Sequence, residues 1–359
     1  MGNKRPDAVG RGANIRPVNR FSRQKAVELE MVEPDADELA DRRHPDTRFL
    51  SDDTKSVISE NASPDVGFRY SLNPYRGCEH GCSYCYARPT HEYLGFDAGL
   101  GFETRILVKH DAPVLFRRFL SKPSWTVETV ALSGVTDPYQ PCEREYRITR
   151  RCLEVANACN QPMGVVTKNA LILRDLDLLG PMAARGLVHV NVSVTTLDPA
   201  LCRAMEPRAS APAARLRAVR ELSAAGVPVR VLVAPVVPGL TDHEMPSILA
   251  AVKDAGAQAA AYILLRLPLA VAPVFVDWLE RAVADRKDKV LARIRDVRGG
   301  KLNESAFGRR MMGQGEFADQ VRAMFRVFAK RYGLDGDLPP YDSSQFRPPP
   351  DERGQLYLF

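Results

Sequence analysis

From Phe68 onward the apolar positions alternate between two patterns. Short, fully apolar, β-branched runs occur at Thr129–Ser133, Gly164–Thr167, His189–Thr195, Val229–Val236 and Ala260–Leu265. Each reads as a strand buried on both faces. Between them, apolar residues recur at steps of three and four. These segments are roughly Ala112–Leu120, Thr149–Cys159, Leu173–Ala184, Ala211–Ala225, Asp242–Ala255 and Val274–Lys287, and they read as helices. Gly226-Val227-Pro228 and Gly256 are helix stops placed just before strands. Phe68–Asn73 supplies a first strand, closed by Pro74. Strands alternating with helices predict an α/β fold with a parallel sheet.

The flanks carry a different pattern. Residues 1–67 have no sustained apolar period and are rich in Gly, Pro, Asp and Arg, so they read as a largely disordered arm with a short helix at Ala26–Val32. Residues 68–290 form the repeating α/β body. Residues 291–337 bring the basic, glycine-rich stretches Arg298–Lys301 and Phe307–Gly315, then a helix over Phe317–Tyr332. Phe317, Val321, Met324, Phe325 and Phe328 give that helix one apolar stripe, suited to closing an open side of the body. Residues 338–359 are a Pro-rich spacer with an apolar end.

Composition adds bounds. With 359 residues and 45% hydrophobic content, the chain suits a large soluble globular body. No apolar run reaches the length of a membrane span, and no apolar signal core follows the N-terminal cations, which predicts a cytoplasmic protein. Seven cysteines, three of them in one tight group, speak for metal binding over disulfides. The net charge of +6 is unevenly placed: residues 1–25 carry seven Lys or Arg against Asp7 alone, so the rest is formally neutral. Such an arm can grip polyphosphate or remain a solvated tail.

The group of three is Cys78-Glu79-His80-Gly81-Cys82-Ser83-Tyr84-Cys85. Three thiolates can hold three irons of a cubane and leave the fourth iron open. A zinc knuckle completed by His80 or a distant cysteine, or three unrelated thiols, are the plainer alternatives. The spacing Cys-x3-Cys-x2-Cys with aromatic Tyr84 before the last cysteine resembles the signature of the radical SAM superfamily. That resemblance implies a partial (β/α)6 TIM-type barrel, a [4Fe-4S] cluster on Cys78, Cys82 and Cys85, and S-adenosyl-L-methionine chelated at the open iron. It also implies reductive cleavage to a 5'-deoxyadenosyl radical, with an electron donor such as flavodoxin or ferredoxin. The cofactor carries this chemistry and the protein positions it.

Active sites of such barrels lie at the C-terminal ends of the strands. The second strand ends in Ser133–Tyr139, where the resemblance places groups that receive the cofactor's ammonium; Thr136 and Asp137 are the candidates, although this is also ordinary turn composition. Lys168 at the third strand's end suits the cofactor carboxylate, or simply snorkels. Ser193, Thr195 and Thr196 suit the ribose, or merely favour a strand. Val231–Gly239 could seat adenine.

Gly134-Val135-Thr136-Asp137-Pro138-Tyr139, Val166-Thr167-Lys168-Asn169 with Arg174-Asp175, Glu206-Pro207 and Ala234–Gly239 are similar to the spore photoproduct lyase branch, more closely to its uncharacterised bacterial relatives. The resemblance covers roughly Phe68 to Arg266. It implies that Tyr84, Tyr86, Lys168 and Ser193 surround the cofactor, and that a downstream cysteine returns a hydrogen atom; Cys142 is the nearest. Buried packing is the plainer role for Cys142. The terminal Gln355-Leu356-Tyr357-Leu358-Phe359 resembles the peptide by which bacterial repair and replication proteins bind the sliding clamp.

The expected function is radical SAM chemistry on DNA, in repair. The alternatives are radical SAM modification of RNA, protein or a small molecule, and a non-enzymatic zinc or Fe-S module on nucleic acid.

Overall fold

The computed structural model describes residues 8–21 and 46–349. Its centre is a sheet of six parallel strands laid side by side in chain order. They are Tyr70–Leu72 (β1), Val130–Leu132 (β2), Met163–Thr167 (β3), Val188–Ser193 (β4), Val229–Val236 (β5) and Ala259–Leu264 (β6). Ile58–Glu60 adds one antiparallel strand outside β1. The connecting helices are Ala112–Leu120 (α1), Ile148–Cys159 (α2), Leu176–Ala184 (α3), Pro212–Ala224 (α4) and Met245–Asp254 (α5). This is the expected α/β fold, six β-α units of an incomplete barrel. All six expected strands form, with ends displaced by at most two residues.

Three helices stop by one device. Gly186, Gly226 and Gly256 take φ of +68°, +76° and +95° beyond α3, α4 and α5. The next residue's N–H then turns back on the helix: Leu187 to Met182 O at 2.9 Å, Val227 to Leu222 O at 3.0 Å, Ala257 to Val252 O at 3.0 Å. Glycine takes this left-handed position without the strain a side chain brings. Each stop delivers the chain into a strand. In β4 and β5, Val188, Val190, Val192, Val229, Val231 and Val233 are at most 1% exposed and form the centre of the core.

After β6 the helices are Val271–Ala282 (α6), Lys287–Val297 (α7) and Glu316–Arg331 (α8). The helix expected over Val274–Lys287 is two: it breaks at Val283–Arg286 and resumes as α7. The expected closing helix is α8. Its Phe325 packs on Tyr262 of β6 with centroids 4.8 Å apart, and Leu334 O beyond it accepts Ala260 N–H at 2.8 Å, covering the β6 edge.

Three expectations need correction. Regular structure does not begin at Phe68. Arg48–Ser51 pairs in parallel with Arg105–Val108, which pairs antiparallel with Tyr75–Arg76. Arg48–Ser51 is exposed throughout, so its pairing is a backbone matter that leaves no apolar period to read. Residues 8–21, assigned by composition to a loose arm, are packed against the cysteine loop. The Pro-rich tail is likewise docked as far as Pro349. Tyr341 stacks on His189 at 3.9 Å, Asp342 N–H donates to Gly186 O at 2.9 Å, and Arg347 N–H donates to Cys159 O at 2.9 Å. These contacts lie where the chain enters β3 and β4, opposite the strand ends that carry the site. The helix expected at Ala26–Val32 and the peptide Gln355, Leu356, Leu358 and Phe359 lie outside the described residues. Among the described residues no helix is long and apolar enough to cross a membrane.

Candidate active site

The cysteine loop follows β1 through Tyr75–Arg76. Cys78 N–H donates to Phe102 O at 3.0 Å, Cys85 N–H returns to Cys82 O at 3.2 Å, and Ser83 N–H donates to Met205 O at 2.9 Å. Gly81 turns the loop at φ +67°. Cys78 and Cys82 are buried and Cys85 is half-buried; none is in a disulfide. Burial pushes the Cys82 and Cys85 thiols up, reinforced by the Glu206 charge at Cys82 and by Cys78 at Cys85. Lys168 opposes this at both, and Arg88 at Cys85. A cationic metal centre is what would release such protons.

The donors fit a cluster better than a single ion. Three sulfurs on one tetrahedral zinc would stand about 3.8 Å apart. Among the described residues, no three His, Cys, Asp or Glu side chains are grouped to hold one metal ion. Thiolates on separate corners of a cubane need no such convergence. His80, the alternative fourth ligand, lies beside Cys78 and is engaged by two further side chains. Its Nδ1 lies 3.4 Å from Asp137 Oδ2, and its Nε2 lies 3.1 Å from Asn169 Nδ2. Asn169 is oriented by its Oδ1, which accepts from Leu171 N and Ser210 Oγ at 3.0 and 3.1 Å.

Two buried ion pairs hold the loop from either side. Arg88, fully buried, donates to Cys82 O at 2.8 and 3.1 Å and to Glu103 at 2.5 Å. Glu103 also accepts the N–H groups of Gly12 and Ala13 at 3.1 and 2.8 Å. On the other side Glu206 pairs with Arg215, accepts the Tyr84 hydroxyl, and takes Thr195 Oγ1 at 3.1 Å. Arg215 donates further to Ser193 O at 3.1 Å and Ser210 O at 2.7 Å. Sequence reasoning had Glu206 only as part of a family motif and missed Arg88, Glu103 and Arg215. The one local signal was an arginine on the inward face of a helix, at Arg215 and nowhere else in that set.

The segment 8–21 crosses the loop. Ile15 O accepts Leu100 N–H at 3.3 Å, Arg11 donates to Glu103 O at 3.2 Å, and Arg20 pairs with Glu92 at 2.7 Å. At Gly12 even a methyl group would fall 1.7 Å from Gly81 O, so only glycine permits this approach.

The expected strand-end residues do converge on the loop, in two classes. Asp137 is spent on the protein. Its Oδ1 accepts from Thr167 Oγ1 at 2.7 Å and Tyr139 N at 2.9 Å, and its Oδ2 from Lys168 N at 2.8 Å. Thr136 donates to Gly77 O at 2.7 Å and accepts from Gln140, whose Oε1 takes Glu79 N–H. Both therefore brace the loop from the strand end where the resemblance places receivers of an ammonium. Tyr84 and Thr195 are likewise turned to Glu206, while Tyr86 donates to Gly134 O at 2.8 Å. Lys168 differs. It is half-buried, its Nζ lies 5.9 Å from the Tyr84 ring centroid, and among the described residues no carboxylate pairs with it. Ser193 is buried at the end of β4, the strand beside the one that Lys168 follows.

Cys142 is set back. It is 6% exposed within the main core, its N–H donates to Glu79 Oε2 at 2.7 Å, and burial followed by the Glu79 charge raises its thiol far above the ordinary range. Its surroundings are those of a packed cysteine. Arg208 pairs with Glu79 at 3.3 Å, a structural tie.

A sequence profile of the Radical SAM superfamily matches residues 72–252. An uncharacterised protein of Mycobacterium tuberculosis (strain ATCC 25618 / H37Rv) is 36% identical over 277 residues, 76% of this chain and 77% of that one. An uncharacterised protein of Methanocaldococcus jannaschii is 26% identical over 184 residues, 51% of this chain and 66% of that one. Among solved structures, spore photoproduct lyase complexed with dinucleoside spore photoproduct has a similar fold, with a TM-score of 0.57 at 15% identity over 79% of each chain. The chain belongs to the radical SAM superfamily and is an enzyme of that kind, with a [4Fe-4S] cluster and S-adenosyl-L-methionine as its cofactors.

Proposed function

We propose that this enzyme acts on DNA, in repair chemistry of the spore photoproduct lyase kind. What carries the reading is where the motifs of that branch fall. Thr136-Asp137, Lys168 and Glu206 lie on separate strand ends and loops and abut or brace the cysteine loop, and Ser193 is tied to Glu206 through Arg215. The fold shared with a lyase whose complex holds a dinucleoside photoproduct supports the same reading.

Cys78, Cys82 and Cys85 would hold the cluster, which with S-adenosyl-L-methionine supplies a hydrogen-abstracting radical once a flavodoxin- or ferredoxin-type donor delivers an electron. The chain's own residues bind and orient. Lys168 would meet the cofactor carboxylate, because its Nζ lies over the Tyr84 ring of the cysteine loop and among the described residues no carboxylate pairs with it. Ser193 would contact the ribose. Glu206 fixes Tyr84, whose ring shields one side of Lys168. Thr136 and Arg88 hold the backbone at Gly77 and Cys82, and Asp137 holds the His80 side chain, so the three cysteines would be kept in place for the cluster.

The test is anaerobic incubation of reconstituted enzyme, reductant and S-adenosyl-L-methionine with ultraviolet-irradiated DNA, and in parallel with matched RNA. Lesion loss on DNA, followed by mass spectrometry, is the expected result. Cofactor cleavage that leaves DNA lesions untouched, or that is coupled to RNA instead, would contradict it.

The terminal peptide supports a route to DNA through the sliding clamp, with Leu358 and Phe359 filling an apolar pocket and Gln355 bonding at its edge. The tail as far as Pro349 runs on the face opposite the site, so clamp and substrate need not compete. The absence of saturable binding between peptide and clamp at high micromolar concentration would end this part of the proposal.

A further inference from the structure

Arg266, just beyond the C-terminal end of β6, has an unusual environment. Its Nε is inaccessible and has no acceptor. Its Nη1 reaches only Met311 Sδ, at 3.5 Å. Among the described residues no carboxylate pairs with it. Its guanidinium lies 5.8 Å from the centroid of Tyr86, the residue after Cys85. Burial, then the nearby Arg310 charge, lower its hold on its proton, with Tyr86 and Asp65 opposing. A half-buried cation beside a second cation is costly unless an anion arrives from outside.

The second cation is held in place. Asp65 and Ser63 both bind Arg310, and Asp65 Oδ1 also accepts Gly308 N–H at 2.7 Å. The Arg310 guanidinium lies 4.6 Å from the centroid of Phe307. Phe307 is 58% exposed and Tyr86 53% exposed, although each could bury a large apolar area. The remaining charges here are Lys301, Arg298, and Arg309 with Glu304 at 4.0 Å. Arg298 is consumed by the carbonyls of Leu264, Leu265, Arg309 and Arg310. Exposed aromatic faces alternating with guanidiniums, beside a loop that carries the chemistry, match a nucleotide: a base stacks on a ring and its phosphate takes a planar fork.

We propose that Tyr86, Arg266, Arg310 and Phe307 form the seat for one unstacked nucleotide of a DNA strand at the mouth of the barrel. The phosphate lies between Arg266 and Arg310, and the base lies on Phe307. This rests on the DNA reading above and names the surface that would take the strand.

The test is fluorescence anisotropy of the reconstituted holoenzyme with a labelled single-stranded oligodeoxynucleotide across a salt series. A probe with uncharged methylphosphonate linkages runs beside it. Arg266→Gln should weaken binding about tenfold and lower the salt slope by about one, and should bind the uncharged probe as wild type does. Phe307→Ala removes an exposed ring without touching the core; it should weaken binding about fivefold or more and keep the slope. Wild-type affinity and slope in both variants would overturn the seat and leave the DNA reading standing. A weaker grip on S-adenosyl-L-methionine in Arg266→Gln, with unchanged DNA affinity, would assign the anion to the cofactor and also overturn it. A wild-type enzyme that binds no DNA at low salt would overturn both.

Discussion

Arg88–Glu103 and Arg215–Glu206 are the interactions on which the cysteine loop depends, and each joins side chains that are at most 1% exposed. Removing one partner from such a pair leaves an uncompensated buried charge and typically costs about 3–5 kcal/mol. Glu206→Ala should therefore lower unfolding stability by that order in a urea titration, whereas Glu206→Gln, which still accepts from Tyr84 and Thr195, should cost less. A loss below about 1 kcal/mol for the alanine variant would show that Arg215 finds other acceptors. Lys168 is a different case, because among the described residues no carboxylate pairs with it. Lys168→Met should leave stability and iron content near wild type and raise the S-adenosyl-L-methionine concentration needed for half-maximal uncoupled cleavage about tenfold or more. These roles were unevenly legible. Lys168 announced itself as a charge at the end of an apolar strand. The two Glu–Arg pairs did not, since periodicity records which face is apolar and says nothing of which distant charge answers another.

At the level of elements, the segment 8–21 is the part that composition misjudged. Its glycines and arginines read as a solvated arm, yet Gly12 fits because it has no side chain and Arg11 and Arg20 meet acceptors on the loop region. Gly12→Ala places a methyl group against Gly81 O and should cost about 1–3 kcal/mol. The reconstituted variant should also lose iron to a chelator faster than wild type, which absorbance near the cluster bands would follow. The tail was misjudged for a related reason, since backbone donors and one ring stack dock it without any apolar run. Here pH enters. Burial, and then the Arg230 charge, lower His189 to about 4 from its ordinary 6.5. A lowered histidine contributes stability above its unfolded value, and that stability is lost as pH falls. Docking of residues 338–349 helps bury this ring and should therefore weaken as pH drops from about 6.5 toward 4. Hydrogen exchange of the tail at pH 7 and pH 5 checks this; His189→Phe, which keeps the stack, should remove the difference. By contrast the strands and main helices were legible to within a few residues, because fully buried β-branched runs and glycine stops leave their mark locally. The break at Val283–Arg286 was not, since apolar residues continue in period on both sides of it.

Across the whole molecule, the parts divide between two faces. The strand C-terminal ends carry the cysteines, Lys168, Ser193 and the arginine-aromatic seat, and the segment 8–21 crosses the loop there. The opposite face receives the tail. The separation leaves the strand C-terminal ends clear of the docked tail. All of it rests on one claim, that Cys78, Cys82 and Cys85 hold a cluster that activates S-adenosyl-L-methionine. The direct measurement is 5'-deoxyadenosine formed by anaerobically reconstituted, reduced protein, compared between wild type and Cys82→Ala. Wild type should bind about four irons per chain and form 5'-deoxyadenosine, and the variant should form none above background. Equal product from both, or a wild-type protein that takes up zinc, stays colourless and forms no product, would contradict the account.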